Sequence, residues 1–201
     1  MVQVRCFGAG DPLYEAYHDE EWGRPVADSP DERELFERVC LEGFQAGLSW
    51  ITVLRKREAF RAAFADFDPA AVAEFGDDDV TRLMADAGIV RNRLKIEATV
   101  TNARALLALH DEGERLADLV ALHTPAARER PPLSFADVPA QTAESLALSK
   151  ALKKRGFRFV GPTTMYALLQ AVGAVDDHIQ GCWLARQARQ EALEANARVH
   201  S

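Results

Sequence analysis

Long hydrophobic runs are missing from this 201-residue chain, and so is the alternation of apolar and polar residues that marks β-strands. No stretch reaches the roughly 18 apolar residues that a membrane-spanning helix requires. The first residues are acidic and aromatic, unlike the basic and then apolar start of a secretory signal peptide. With 48% hydrophobic and 27% charged residues, the composition also excludes a wholly disordered chain. We therefore expect a globular cytoplasmic protein with no membrane partner.

Cysteine is scarce as well. The chain has three cysteines, an odd number that does not suit a disulfide scaffold and indicates a reducing compartment. A chain of this length buries roughly 70% of its unfolded surface, so it needs no disulfides to fold. Metal ligation or simple burial remain as uses for the three thiols.

The net charge of −7 argues against a protein that coats nucleic acid by electrostatics. The cations are clustered, however, and local clusters decide whether phosphates can bind. Residues 149–160 contain five basic residues and no acid: Lys150, Lys153, Lys154, Arg155 and Arg158. Two smaller basic clusters are Arg91, Arg93 and Lys95, and Arg55, Lys56, Arg57 and Arg61.

The apolar residues recur with a helical period, which predicts an all-α fold. Asp11 and Pro12 have the chemistry of a helix start, and Ser29 to Glu32 has the pattern of a capping box. Four prolines make 124–142 the one clear loop, and 155–162 is a glycine-bounded turn between two helices. We expect residues 1–185 to form a single domain and 186–201 to be a tail that can fray.

A possible metal site is formed by residues from the two ends of the chain. His178 and Cys182 are four residues apart, which places them on one face of a helix, and Cys6 and His18 supply a second thiolate and imidazole. Two sulfurs and two nitrogens suit a tetrahedral structural zinc ion with no open position for water. The alternative is that His178 lies on the surface and Cys182 is a small buried hydrophobic residue.

Glu42 is an acid in an unusual place. It lies on the apolar stripe of its predicted helix, with Leu35 and Val39, so its carboxyl must be neutral, paired or directed into a cleft. Trp50 follows closely, and Tyr14 and Tyr17 share a face of the first helix. A carboxylate, hydroxyls and indole faces suit a flat, amine-bearing ring. An aromatic core with a Glu–Arg pair would give the same pattern.

The turn at 155–162 follows a basic helix, and a second helix is predicted to begin at Pro162. Such a turn directs backbone N–H groups outward, which suits a phosphate, although an ordinary connection between helices looks the same in sequence.

Several strings along residues 5–183 resemble the DNA-3-methyladenine glycosylase I family. They are Asp11–Tyr14, Tyr17–Asp19, Glu21–Gly23, Leu41–Gly43, Gln45–Leu54, Asp86–Ile89, Leu148–Phe157 and His178–Cys182. The resemblance implies a two-lobed, all-α glycosylase fold of the helix–hairpin–helix type, with the hairpin at about 155–162. It also implies a structural zinc ion on Cys6, His18, His178 and Cys182.

The resemblance further implies the residues of the site. The base site maps onto Tyr17, Glu42 and Trp50, with Tyr14 and Trp22 nearby, and Glu42 is expected to be the catalytic residue. The expected contacts to the DNA backbone are Lys153, Lys154, Arg155, Gly156, Arg158 and Gly161. The implied function is base-excision repair: a monomer flips 3-methyladenine out of double-stranded alkylated DNA and hydrolyses its N-glycosidic bond without cleaving the strand.

Two positions depart from the family pattern. Phe7 follows Cys6 where members often carry a tryptophan, and Asp176 stands about where the wider superfamily has a catalytic aspartate that this family typically lacks. We expect Asp176 to cap a helix instead of assisting catalysis. Two rival functions are a zinc-containing module that binds damaged DNA without catalysis and a zinc hydrolase of another substrate. Leu48 is our candidate for the side chain that fills the gap in the duplex.

Overall fold

In the computed structural model of the protein, which describes residues 4–24 and 32–185, every regular element is a helix. The α-helices are α1 (Pro12–Glu20), α2 (Arg33–Gln45), α3 (Trp50–Leu54), α4 (Arg57–Ala63), α5 (Pro69–Ala73), α6 (Asp77–Ala85), α7 (Arg93–Asp111), α8 (Leu116–Leu122), α9 (Ala143–Lys154) and α10 (Pro162–Ala171). Short 3-10 turns lie at Ala65–Phe67 and Phe135–Asp137. None of the described helices is long and apolar enough to cross a membrane. The prediction of an all-α fold is confirmed.

The chain divides into two compact units. Unit 1 is made of Met1–Pro25, Pro125–Pro139 and Gln170–Ser201, and unit 2 of Val26–Thr124 and Ala140–Leu169. Unit 1 contains α1, whereas unit 2 contains α2 to α9 and most of α10. The single domain over residues 1–185 stays a prediction, and the predicted tail at 186–201 lies outside the described residues.

Unit 2 has an aromatic core that fixes α2. Phe36 and Phe44 of α2 are at most 1% exposed, and the ring centroids of Phe44 and Phe60 are 4.5 Å apart. Phe64 and Phe67 stack at 5.7 Å in the same core. Because burying each such side chain contributes about 2 kcal/mol, the rotation of α2 about its axis is set by these rings. That rotation places Glu42 inside.

Two acids cap helices, one as predicted and one not. The Asp11 carboxylate accepts hydrogen bonds from the N–H groups of Leu13 and Tyr14 and so caps α1. Glu32, predicted to lie in the first turn of its helix, instead precedes α2 with a φ of 51°. Its carboxylate accepts the Leu116 N–H at 2.7 Å, at the start of α8. This part of the capping-box prediction was wrong, and residues 29–31 lie outside the described residues.

Helices α9 and α10 are joined by a turn over residues 155–161. Gly156 has a φ of 89° and Phe159 a φ of 55°, so the chain reverses direction through two left-handed residues. Phe157 and Val160 are buried and anchor the turn in unit 2. Two helices joined by a turn are thus present at the predicted position, and the helix–hairpin–helix assignment stays a prediction.

Candidate functional site

In unit 1, Cys6, His18 and Cys182 come together. One ligand atom from each lies within 4.8 Å of the others, and the three residues could hold a metal ion. The Cys182 sulfur is 3.4 Å from His18 Nε2, and the Ile179 N–H donates to the Cys6 sulfur at 3.3 Å. Three of the four predicted ligands are thus placed together.

The two thiols differ in acidity. Hydrogen bonds from Cys6 and then from His18 lower the pKa of Cys182 to about 4, whereas the hydrogen bond to Cys182 and burial raise the pKa of Cys6. A thiolate is therefore favoured at Cys182, and the thiolate is the form of cysteine that binds metals.

A carboxylate orients the imidazole of His18. His18 Nδ1 lies 2.8 Å from Asp19 Oδ1, which leaves Nε2 facing the Cys182 sulfur. Burial alone would raise the pKa of Asp19, but hydrogen bonds from Arg5, His18 and Trp183 outweigh it and lower this pKa to about 2. Carboxylate–histidine pairs of this kind are the usual support of metal-binding histidines.

His178 has the same arrangement but lies apart from the three-residue cluster. Its Nδ1 is 2.8 Å from Asp176 Oδ1, and its ring centroid is 5.4 Å from that of His18. Its Nε2 is buried and makes no hydrogen bond to any described residue. Asp176 also accepts the His178 backbone N–H, so its carboxylate holds the histidine in place.

The local structure of the His178–Cys182 segment was predicted incorrectly. Residues 176–182 are not helical, and Gly181 has a φ of 94°. The Cys182 N–H bonds to the Ile179 carbonyl in a tight turn. Glycine permits this left-handed conformation at no steric cost, and the turn interrupts the helix that the four-residue spacing indicated.

Phe7 is at the centre of an aromatic cluster in unit 1. Its ring centroid lies 4.8 Å from Tyr14, 5.0 Å from His18 and 5.1 Å from Trp22. Tyr17 and Trp22 are buried, and Trp22 contacts the His178 ring at 4.6 Å. The predicted base-site aromatics of this unit therefore pack directly beside the predicted metal ligands.

Glu42 lies in unit 2 and is 4% exposed, as the periodicity of α2 predicts. Its Oε2 is buried and makes no hydrogen bond to any described residue. Burial raises the pKa of Glu42 to about 8, although the positive charge of Arg38 acts in the opposite direction. A buried carboxyl oxygen without a partner is costly, which makes such an atom a candidate for ligand binding.

Trp50 is the first residue of α3, eight positions after Glu42 in sequence, and it is half-buried. The connecting residues 46–49 are exposed, and Leu48 is 43% exposed. An exposed leucine in this loop agrees with its predicted insertion into the duplex, which stays a prediction.

Most of the predicted DNA-backbone residues are accessible. Lys153, Lys154, Gly156 and Arg158 are exposed. Gly161 is half-buried, and Arg155 forms an ion pair with Glu114.

Sequence comparison decides the family. A model of the family described as Methyladenine glycosylase matches residues 7–186. The chain belongs to the methyladenine glycosylase family. Among curated relatives of this methyladenine glycosylase, DNA-3-methyladenine glycosylase 1 of Escherichia coli (strain K12) is 54% identical over 175 residues, covering 86% of this chain and 91% of that protein.

Solved structures of the family have the same fold. A crystal structure of 3-methyladenine DNA glycosylase I has a TM-score of 0.83 at 50% identity and covers 90% of this chain and 98% of its own. A structure described as the structural basis of 3-methyladenine recognition by the Staphylococcus aureus enzyme has a TM-score of 0.80 at 37% identity, covering 89% and 94%.

Sequence reasoning missed two buried polar residues of this methyladenine glycosylase, Lys95 and Asn102 on α7. They are 8% and 3% exposed, and both contact segments predicted to touch DNA. Both lie on the apolar stripe of α7, seven positions apart. The test that singled out Glu42, a polar residue on a buried helix face, would have found them.

Proposed function

We propose that this chain removes 3-methyladenine from double-stranded alkylated DNA by hydrolysing the N-glycosidic bond, without cleaving the strand. The observation that carries the proposal is the buried Oε2 of Glu42, to which no described residue hydrogen-bonds, in a member of the methyladenine glycosylase family. The relatives named above as 3-methyladenine glycosylases supply the substrate class.

The chemistry needs little from the protein at the leaving group. A purine methylated at N3 is positively charged, so its bond to the sugar is already weakened. When that bond breaks, its electron pair stays on the base, which leaves neutral. A water molecule adds to the sugar carbon, loses a proton and leaves an abasic site. No amine nucleophile takes part, and so no strand cleavage is expected.

Glu42 supplies the selectivity for a cationic base. Its carboxylate accepts hydrogen bonds from the amine edge of the ring and attracts the positive charge, an interaction of about 4 kcal/mol at 4 Å and an effective dielectric of 20. A normal, neutral purine lacks the charge and would leave the carboxylate buried without compensation. Trp50 stacks on the ring. The roles predicted for Tyr14, Tyr17 and Trp22 stay predictions.

The proposed cofactor is a structural zinc ion on Cys6, His18, His178 and Cys182. The donor set of two sulfurs and two nitrogens suits zinc. The buried Nε2 of His178, which has no hydrogen-bond partner among the described residues, is the kind of atom that a metal would satisfy. When bound, zinc links the start of the chain to residues near its end and stabilises the fold. Four protein ligands leave no open position, which argues against a zinc hydrolase.

Lys153 and Lys154, with the backbone of Gly156, Arg158 and Gly161, are proposed to bind the DNA phosphates. Arg155 is a weaker candidate than expected because its charge is neutralised by Glu114. We also propose that the protein acts as a cytoplasmic monomer.

One experiment tests the function. Methylated duplex DNA is incubated with the protein, and free 3-methyladenine is measured by chromatography. Release by the wild type and its loss in Glu42→Gln are expected, with Glu34→Gln on the same helix as the matched control. Binding of methylated DNA without release would instead support the non-catalytic module. Full release by Glu42→Gln would refute the role of Glu42.

A further inference from the structure

Lys95 is buried in unit 2, although it belongs to a basic cluster in the sequence. Its ammonium donates to the carbonyl of Phe44 at 2.8 Å and to that of Ala46 at 2.6 Å. Phe44 lies in the last turn of α2 and Ala46 is its C-cap, where helix carbonyls have no intrahelical partner and carry partial negative charge. Lys95 therefore fixes the point where the chain leaves α2, directly before the loop that contains Leu48 and leads to Trp50.

Asn102 holds the turn between α9 and α10 in the same manner. Its Oδ1 accepts the Arg158 N–H at 2.7 Å, and its Nδ2 donates to the Arg158 carbonyl at 3.1 Å. Both hydrogen-bonding groups of one residue in the turn are thus bound by one side chain. Because Phe159, the next residue, has a φ of 55°, the turn needs such a restraint to keep its conformation.

Resting on the proposed function, we infer that Lys95 and Asn102 are positioning residues. They hold the loop at 46–49, which leads to Trp50, at a fixed distance from the proposed phosphate-binding turn at 155–161. Both side chains project from α7, a 19-residue helix packed against α2, α5 and α6. Seven residues of helix separate them by about 10 Å, a fixed distance because the helix is stiff.

The contact between α2 and the turn supports this registration. A Cβ on Gly43 would lie 3.3 Å from the Phe159 Cβ, so the helix that carries Glu42 touches the turn itself. A shift of either segment would therefore disturb the other unless both are anchored to a common element. Helix α7 is that element.

Separate substitutions distinguish positioning from general stability. Lys95→Met keeps the length of the side chain but removes the ammonium. We expect free 3-methyladenine to bind roughly tenfold more weakly by calorimetry, with the affinity for undamaged duplex DNA unchanged within about twofold. Asn102→Leu should do the reverse, weakening undamaged DNA roughly tenfold and leaving free-base affinity within about twofold.

Thr99→Val is the matched control because Thr99 is buried on the same helix between the two residues, and its hydroxyl donates to the Lys95 carbonyl of α7 itself at 3.1 Å. It should change neither affinity. Lys95→Arg should restore base binding, since its guanidinium can still donate to the two carbonyls. Equal losses of both affinities in Lys95→Met and Asn102→Leu would overturn the inference. So would a failure to fold of Lys95→Arg or of the milder variant Asn102→Asp, since the two side chains would then be needed for general stability.

Amide hydrogen exchange keeps this inference separable from the proposed function. Exchange should rise in residues 46–50 for Lys95→Met and in 155–161 for Asn102→Leu, with no substrate present. If the wild type neither binds nor releases 3-methyladenine, the proposed function fails while this pattern still supports the anchoring. Exchange that rises equally across unit 2 would refute the anchoring itself.

Discussion

Replacing Glu42 with glutamine should make the protein more stable, and the gain should grow with pH. The pKa of the Glu42 carboxyl is about 8 in the folded protein, mainly because of burial, compared with 4.5 for an unperturbed glutamate. Between these values the folded state keeps a proton that the unfolded state has released. Stability therefore falls as pH rises through this window, because the unfolded state binds fewer protons. Glutamine has no proton to lose, so its curve lacks this fall.

The size of the effect follows from the two pKa values. Proton linkage gives a cost of about 1 kcal/mol for Glu42 near pH 5 and about 4 kcal/mol near pH 8, a difference of about 3 kcal/mol. For a chain of this size each kcal/mol shifts the melting temperature by roughly 2–4 °C. The gap between Glu42→Gln and wild type should therefore widen by roughly 6–12 °C between these pH values.

Calorimetric melting of both proteins in a buffer series from pH 5 to pH 8 measures this gap. Glu34→Gln is the control, because Glu34 is a half-exposed acid on the same helix, and its melting curve should follow that of the wild type. Parallel curves for Glu42→Gln and wild type would show that Glu42 is ionised at neutral pH in the free protein. Burial of the Glu42 carboxyl would then not keep it protonated until a cationic base binds.

Three further predictions concern the metal ligands, the phosphates and a glycine. Cys182→Ser should lose bound metal and melt at a much lower temperature; a stably folded variant with full metal content would contradict the proposed ligand set. Replacing Lys153 and Lys154 by glutamine should reduce the slope of log affinity for DNA against log salt by about one unit per lysine, and an unchanged slope would exclude them from the interface. Gly23→Ala should lower the melting temperature more than Gly10→Ala. Both glycines have a positive φ, but a Cβ at Gly23 would lie 2.7 Å from His178 Cε1, whereas a Cβ at Gly10 would meet nothing within 4 Å. Equal losses would argue against a tightly fixed His178.

Periodicity and local chemistry were enough to predict much of unit 2 and the start of α1. The apolar stripe of α2 placed Glu42 inside the protein, and Asp11 before Pro12 placed the N-terminus of α1. These predictions succeeded because they depend on neighbours within one or two helical turns, which the sequence displays directly.

The failures concern partners that are distant in sequence. Glu32 was assigned to its own helix, but its carboxylate caps a helix 84 residues later. Lys95 was noted only as part of a basic cluster, yet its ammonium binds the carbonyls of α2. The ion pair of Arg155 with Glu114 was not foreseen either, and the DNA contact expected of Arg155 stays a prediction. A charged side chain carries no signal for which distant group it will meet, so these contacts appear only when the fold is known.

The sequence separation within the candidate metal site has a consequence for how the protein is made. Cys182 follows His18 by 164 residues, so at roughly 5–20 residues per second a ribosome needs about ten to thirty seconds after making one ligand to reach the other. During that interval Cys6 and His18 are present but Cys182 is not. The candidate metal cluster is therefore completed late in synthesis, after the residues of unit 2 have been made.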